Sequence, residues 1–341
     1  MRSDLIDIAT LFLTWAEKHE LDISELKSGL INQSYKVTTS ESCYVLQKVN
    51  DFIFHQPNII HNNYNRVREE LLSNNYSKQI VSFLEDDKGQ QLKKLDGEYW
   101  RMSRFIDGET CDICINPIMA YNSAKALAEF HCCTKGIKIK ELKEPIPRFC
   151  DFSYRLIEFE ESLISGDADR IKTATKLIKA INSNLHHISD YVKIENKIKK
   201  RVLHGDPKVS NFLFDKSYEN VIALIDIDTI MPGSILYDFG DLVRSFANQS
   251  LEDSSIVKDS FDLKIYNALY EGYLSIGKTF LSYEEIKSMK LAANAVSLVQ
   301  CIRFLTDYLK MDNYYHVNAP QQNFNRALNQ FDFFNHLKNK A

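Results

Sequence analysis

The chain has 341 residues, of which 44% are hydrophobic and 26% charged, with a net charge of −4. That length exceeds what one small core organises, so two domains or lobes are expected. The slight acidic excess argues against nucleic acid or an acidic membrane surface as partner, and no run approaches the ~20 apolar residues of a membrane span.

Residues Leu5, Ile8, Phe12, Trp15 and Ala16 recur at helical spacing behind Ser3 as a potential N-cap, which predicts an opening amphipathic helix rather than a signal peptide. Two β-like runs, Tyr35–Thr38 and Tyr44–Val49, flank the turn-forming residues Thr39 to Ser42 and read as a hairpin. A helix is expected over 57–73, and further strands over 80–84 and 99–105, with Asp86-Asp87-Lys88-Gly89 as a turn. The texture changes after Phe105, Ile106 and Gly108. Asn116 followed by Pro117 is a helix start, and Ile118, Tyr121, Ala124, Leu127, Ala128 and His131 mark one helical face. The chain is then mostly helical to about residue 198, returns to strands, and is helical again from Leu251 onward. This pattern divides it into residues 1–107, β-rich, and 108–341, helix-rich. Seven scattered cysteines fit a reducing cytoplasm. Cys111-x-x-Cys114 and Cys132-Cys133 lack the second spaced pair that a structural zinc requires.

The returning strands carry the chemistry. His204-Gly205-Asp206-Pro207-Lys208-Val209-Ser210-Asn211 lies between apolar runs, and Asp226 comes fifteen residues after Asn211 at the end of Ile222–Ile225. A carboxylate, an Asn five residues on and a second carboxylate ending a β-run suit phosphoryl transfer from Mg·ATP. Asp206 then takes the acceptor proton, while the Asn211 amide oxygen and Asp226 hold Mg²⁺. Lys208 reaches the γ-phosphate, and His204 holds the loop through ring hydrogen bonds. Asp228, two residues past Asp226, either supports a second metal or contacts substrate. Asp238-Phe239-Gly240 spells the tripeptide that carries the metal-binding Asp of protein kinases, but Asp226 precedes it at a better offset. Asp238 and Asp241 are therefore expected to fix the helix start and the loop.

In the first third, the segment 28–35 precedes a strand and is expected to fold over phosphates, placing Asn32 and Ser34 at the nucleotide, with Phe105 and Ile106 at the hinge. Strand alternation lets only one of Gln47 and Lys48 face the phosphates. Lys48 is the chemical choice, with Glu69 or Glu70 as its helix partner. Near the C-terminus, Arg303 and Asp307 stand four residues apart, as in a helix-surface ion pair, beside an aromatic cluster suited to a sugar ring.

Taken together, Gly29–Tyr35, Tyr44–Asn50, His204–Phe214, Ile225–Gly233 running into Asp238–Asp241, and Arg303–Leu309 resemble the aminoglycoside phosphotransferase-like kinases over about residues 24–330. That resemblance implies an α+β, bilobal protein-kinase-like fold with ATP and Mg²⁺ as cofactors. The last two blocks are most similar to the subgroup that phosphorylates the anomeric hydroxyl of N-acetylglucosamine or N-acetylgalactosamine. It implies Asp206 as base, Asn211 and Asp226 as metal ligands, and Arg303 and Tyr314 as sugar contacts. Two departures stand out: the hexosamine kinases tend to place His where this chain has Gln33, a position expected to meet the sugar, and Gln47 replaces a basic residue common in the wider family. The alternative acceptors are another sugar, homoserine or an amino alcohol, and the alternative class is an inactive nucleotide-binding module. The expected partners are the small-molecule acceptor and ATP, with no nucleic acid, no membrane and a monomer or weak dimer.

Overall fold

The computed structural model describes residues 2–13, 21–26, 31–251, 253–254 and 260–341. Helix α1 (Arg2–Thr10) begins before Ser3, which is therefore inside it rather than at its cap. Trp15, Ala16 and the segment 27–30, which includes Ser28 and Gly29, lie outside the described residues. Strands β1 (Asp22–Leu26), β2 (Gln33–Thr38), β3 (Cys43–Val49), β4 (Lys93–Leu95) and β5 (Glu98–Arg104) form an antiparallel sheet in the order β1-β2-β3-β5-β4. The hairpin turn closes as expected, with Thr39 N–H donating to Ser42 O at 2.9 Å.

The alternation of β3 selects which of its side chains meet the cleft. Tyr44 and Leu46 are buried with Trp100, Met102 and Val37 in a small core against Ala9, Phe12 and Leu13. Every second residue points the other way, so Gln47 and Arg101, directly opposite each other, share the far face with Ser34. The expected strand over 80–84 does not form. Phe83 makes one isolated bridge to Ser103, with Leu84 N donating to Met102 O and Arg104 N to Ser82 O; β5 ends at Arg104, so residues 80 and 81 run past the end of that strand. Helix α2 (Asn58–Ser73) follows Pro57, and the turn at Asp86–Gly89 closes at 2.9 Å.

The helical part comprises α3 (Pro117–Cys133), α4 (Phe152–Ser165), α5 (Ala168–Asn182), α6 (His186–Glu195), α7 (Ile235–Phe246), α8 (Leu263–Gly277), α9 (Tyr283–Leu309) and α10 (Gln322–Lys340). Asn116 caps α3 by accepting from Met119 N at 2.8 Å. The buried face of α3 holds Met119, Ala124, Leu127, Ala128 and His131, whereas Ile118 is exposed. Gly272 lets α8 approach α3 closely, since a Cβ there would lie 2.2 Å from Tyr121 O. The 27-residue α9 starts with a full capping box, Ser282 with Glu285, and runs through the core beside α7 and α10. All seven cysteines are free thiols. Among the described residues no helix is long and apolar enough to cross a membrane.

Candidate active site

Two short hairpins build the floor of the site. Strand β6 (Arg201–Leu203) pairs with β9 (Met231–Gly233), and β7 (Phe212–Phe214) pairs with β8 (Val221–Leu224). The loop after β6 carries Asp206, the turn before β7 carries Asn211, and the turn after β8 carries Asp226 and Asp228. The ladder extends through Ile225 N donating to Asn211 O at 2.9 Å, which sets Asp226 beside Asn211. The spacing read from the sequence is thus the spacing of two nested hairpins.

Gly205 makes the loop turn with φ +88, and a Cβ there would lie 2.4 Å from Thr229 O, so only glycine passes this point. Asp238 then locks the loop. Its carboxylate accepts from His204 N at 2.6 Å and Gly205 N at 2.9 Å, and pairs with His131 Nε2 at 2.9 Å. His131 in turn meets the Tyr273 hydroxyl at 2.7 Å, so α3, α7 and α8 converge on one buried carboxylate. Asp238, fully buried, is a loop-fixing residue with no open side toward the cleft. The His204 ring donates from Nε2 to Ile225 O at 3.0 Å, and burial lowers its pKa, so it is neutral and structural. Asp241 bonds Arg244 at 2.6 Å.

Asp206 accepts from Lys208 Nζ at 2.8 Å and from Asn211 Nδ2 at 2.9 Å. Burial opposes its ionisation, but the Lys208 charge and hydrogen bond, with Arg244 behind, hold its pKa below the ordinary carboxylate range. It is therefore a ready acceptor of a proton at neutral pH. Asn211 gives its amide nitrogen to Asp206, also reaching the Asp206 carbonyl at 2.7 Å, which leaves its oxygen for a cation. Asp226 has left-handed backbone, φ 58, and among the described residues its carboxylate has no hydrogen-bond or ion-pair partner. Desolvation by the surrounding cleft, then the charge of Asp228, push its pKa up to about 6, and its exposure to the cleft mouth lets solvent moderate that push. An unpaired carboxylate beside a free amide oxygen is the donor chemistry of a hard divalent cation, so these residues fit Mg²⁺.

Above the floor the expectations hold less well. Lys48 lies on the α1 side of β3, bonded to Glu98, and neither Glu69 nor Glu70 meets it; both instead face Arg66. Gln33, directly opposite Lys48, shares that α1 side and is exposed, so the structure brings neither residue to the floor. Gln47 takes the cleft face. It donates to Ser34 Oγ at 3.0 Å and accepts from Arg101 Nε at 3.0 Å. Arg101 reaches across to Asp228, with Nη2 at 2.8 Å from Oδ2 and Nη1 at 2.7 Å from Oδ1. Asn32 donates to the same Asp228 Oδ2 at 2.6 Å and accepts from Asn50 N at 3.0 Å. Both Asp228 oxygens are therefore engaged within the protein. Lys36, on the same side of the sheet as Ser34 and Gln47, stands 4.3 Å over the ring of Phe105, whose neighbour Ile106 is half-buried at the hinge. Arg101 and Lys36 were not singled out from the sequence, because nothing in their local spacing marks them.

Arg303 forms no pair with Asp307. Asp307 instead accepts from the backbone N–H groups of Tyr314 at 2.8 Å and Tyr315 at 2.9 Å and shapes that loop. Arg303 bonds Gln300 Oε1 at 3.1 Å and stacks 4.8 Å from the Phe149 ring and 5.8 Å from the Tyr315 ring. Among the described residues it has no carboxylate partner. Tyr314, 40% exposed, packs edge-on against Tyr315. The wall connects to the floor through Tyr237, which lies 6.4 Å from Phe149 and feels the charges of both Asp206 and Arg303.

The architecture is shared with solved kinase-like structures. An aminoglycoside phosphotransferase from Alicyclobacillus acidocaldarius superposes with a TM-score of 0.63 at 15% identity, covering 96% of this chain and 94% of that one. An ethanolamine kinase from Plasmodium vivax gives 0.60 at 15%, covering 96% and 86%. A spectinomycin phosphotransferase, solved with ADP and spectinomycin, gives 0.61 at 14%, covering 98% and 93%. These likenesses show the α+β kinase-like fold. At the level of sequence, residues 22–262 match the phosphotransferase enzyme family, a span that includes the whole floor from Asp206 to Asp238. With most of the chain matched and the hairpin floor inside the match, the chain belongs to the phosphotransferase enzyme family.

Proposed function

We propose that the protein is an ATP- and Mg²⁺-dependent small-molecule kinase that phosphorylates the anomeric hydroxyl of an N-acetylhexosamine. In this reading residues 1–107 form the nucleotide-binding lobe and residues 108–341 carry catalysis and the sugar. Asp206 accepts the hydroxyl proton as the oxygen attacks the γ-phosphorus in line and the bond to the β-phosphate oxygen breaks, releasing ADP, and Lys208, already beside Asp206, meets the charge that spreads over the transferred group. Asn211 Oδ1 and Asp226 would hold Mg²⁺, which neutralises the phosphate oxygens when bound. Asn32 and Ser34 face the phosphates, and Phe105 and Ile106 face the base at the hinge.

The observation that carries the kinase reading is the trio on the floor: an ionised Asp206, a free Asn211 oxygen and an unpaired Asp226. The ADP and spectinomycin bound to one structural neighbour support a nucleotide and a small-molecule acceptor sharing such a cleft. Choice of acceptor rests on Arg303. An amino alcohol needs acids and aromatic faces around its ammonium, whereas this wall presents a guanidinium with no acid beside it among the described residues and the rings of Phe149, Tyr314 and Tyr315. Such a wall suits a neutral ring with hydroxyl and amide oxygens.

An ADP-release screen over N-acetylhexosamines, neutral hexoses, amino alcohols and aminoglycosides tests the proposal. Turnover with N-acetylglucosamine or N-acetylgalactosamine, lost as their 1-O-methyl glycosides, supports it. Turnover confined to amino alcohols refutes the sugar assignment. Arg303→Met is expected to raise the acceptor KM about tenfold and leave the ATP KM within about twofold.

A further inference from the structure

Protein kinases align their nucleotide with a β3 lysine paired to a glutamate on the following helix. Here neither member stands in place. Gln47 occupies the cleft-facing position of β3, Lys48 is paired with Glu98 on the other side, and α2 presents His61 near Arg101 and Asp228. What spans the cleft instead is the Arg101–Asp228 pair, each residue no more than 2% exposed. Building on the kinase reading, we propose that this pair replaces the lysine–glutamate pair: Arg101 is the positioning residue that aligns the phosphate-side segment around Asn32 and Ser34 with the metal-side turn carrying Asp226.

The connectivity distinguishes alignment from simple packing. From Ser34 the hydrogen bonds run through Gln47 and Arg101 to Asp228, and from Asp228 back through Asn32 to Asn50 at the end of β3. This ring contains residues from both walls of the phosphate cleft. Its far end, Asp228, is two residues from Asp226, in a turn whose left-handed start allows little freedom. A planar guanidinium that hydrogen-bonds one carboxylate oxygen, lies in ion-pair contact with the other and also donates to Gln47 fixes orientation as well as distance, which a lysine does not. Arg101 is buried beneath this network, so its influence on nucleotide passes through Asn32 and Asp226 rather than through direct contact.

Calorimetric binding of two ligands to the whole protein tests this: AMP without metal, which engages only the hinge side, and Mg·AMPPNP, which requires phosphate and metal sides together. Arg101→Met and Asp228→Asn are each expected to weaken Mg·AMPPNP at least about tenfold and to leave AMP within about twofold. The double variant carries no unpaired buried charge, so it keeps the test readable if a single variant fails to fold. It is expected to bind Mg·AMPPNP within about threefold of the weaker single variant, as partners in one device do. Arg101→Lys is expected to fall between wild type and Arg101→Met. Multiplicative losses in the double variant, equal weakening of both ligands, or wild-type Mg·AMPPNP binding by Arg101→Met would each overturn the inference. A wild-type protein that binds neither ligand would instead overturn the kinase reading itself.

Discussion

The floor of the cleft and its roof are built by different rules. On the floor, Asp206, Asn211 and Asp226 come from nested hairpins within a short stretch of chain, held from behind by Asp238. On the roof, the decisive groups Gln47 and Arg101 come from separate strands, and their partner Asp228 lies on the floor. The floor is a local object whose geometry follows from spacing. The roof is a long-range object whose geometry follows from which face of a strand a residue takes. One region is therefore expected to fail by losing chemistry, the other by losing alignment.

The largest test of that contrast is Asp206→Asn. It keeps the shape and the Asn211 contact region while removing the proposed base, so turnover measured by ADP release should fall by about a thousandfold, with nucleotide affinity within a few-fold. Turnover within a few-fold of wild type would break the floor assignment. Asp238→Ala comes next, because it strands two buried loop N–H groups and the His131 ring. A stability loss of about 3–5 kcal/mol in denaturant unfolding is expected, with activity lost alongside.

The third test is acid sensitivity of the roof. Burial, then the charge of Arg101, lowers the His61 pKa from 6.5 to about 4. The unfolded chain thus takes up the proton first as pH falls. Stability from keeping His61 neutral is whole above pH 6.5 and declines toward pH 4, by roughly 3 kcal/mol over the window. His61→Phe should flatten that limb of the Tm–pH curve, and an unchanged slope would show that other groups carry it. The smallest effect is expected for Lys48→Met. With Lys48 on the far side of β3, Mg·AMPPNP affinity should stay within about twofold of wild type. A loss of tenfold would return the phosphate role to Lys48.

These differences also mark what the sequence could tell. Turn residues at fixed offsets between apolar runs made the floor readable, as did Asn116-Pro117 at the start of α3. The choice between Gln47 and Lys48 turned on the phase of one strand, which both residues satisfy equally until Leu46 and Trp100 are seen buried against α1. Arg101 was invisible because its partner is 127 residues away. The Arg303–Asp307 spacing misled for a related reason: backbone N–H groups of a loop several residues further on compete for the carboxylate and win. The expected strand over 80–84 shrank to a single bridge because its register on β5 runs past that strand's end at Arg104, a matter of three-dimensional neighbours rather than of propensity.

Asp238 has a consequence for how such a molecule can be altered. The loop that bears Asp206 takes its coordinates from α3, α7 and α8 through a single carboxylate, while the aromatic wall takes its own from α9 and the loop shaped by Asp307. The two have different anchors, joined where Tyr237, beside Asp238 on α7, meets Phe149. Substitutions confined to Tyr314 and the loop shaped by Asp307 therefore leave the Asp238 contacts of the Asp206 loop in place, whereas changes that reach Phe149 also act on Tyr237, the neighbour of Asp238 on α7.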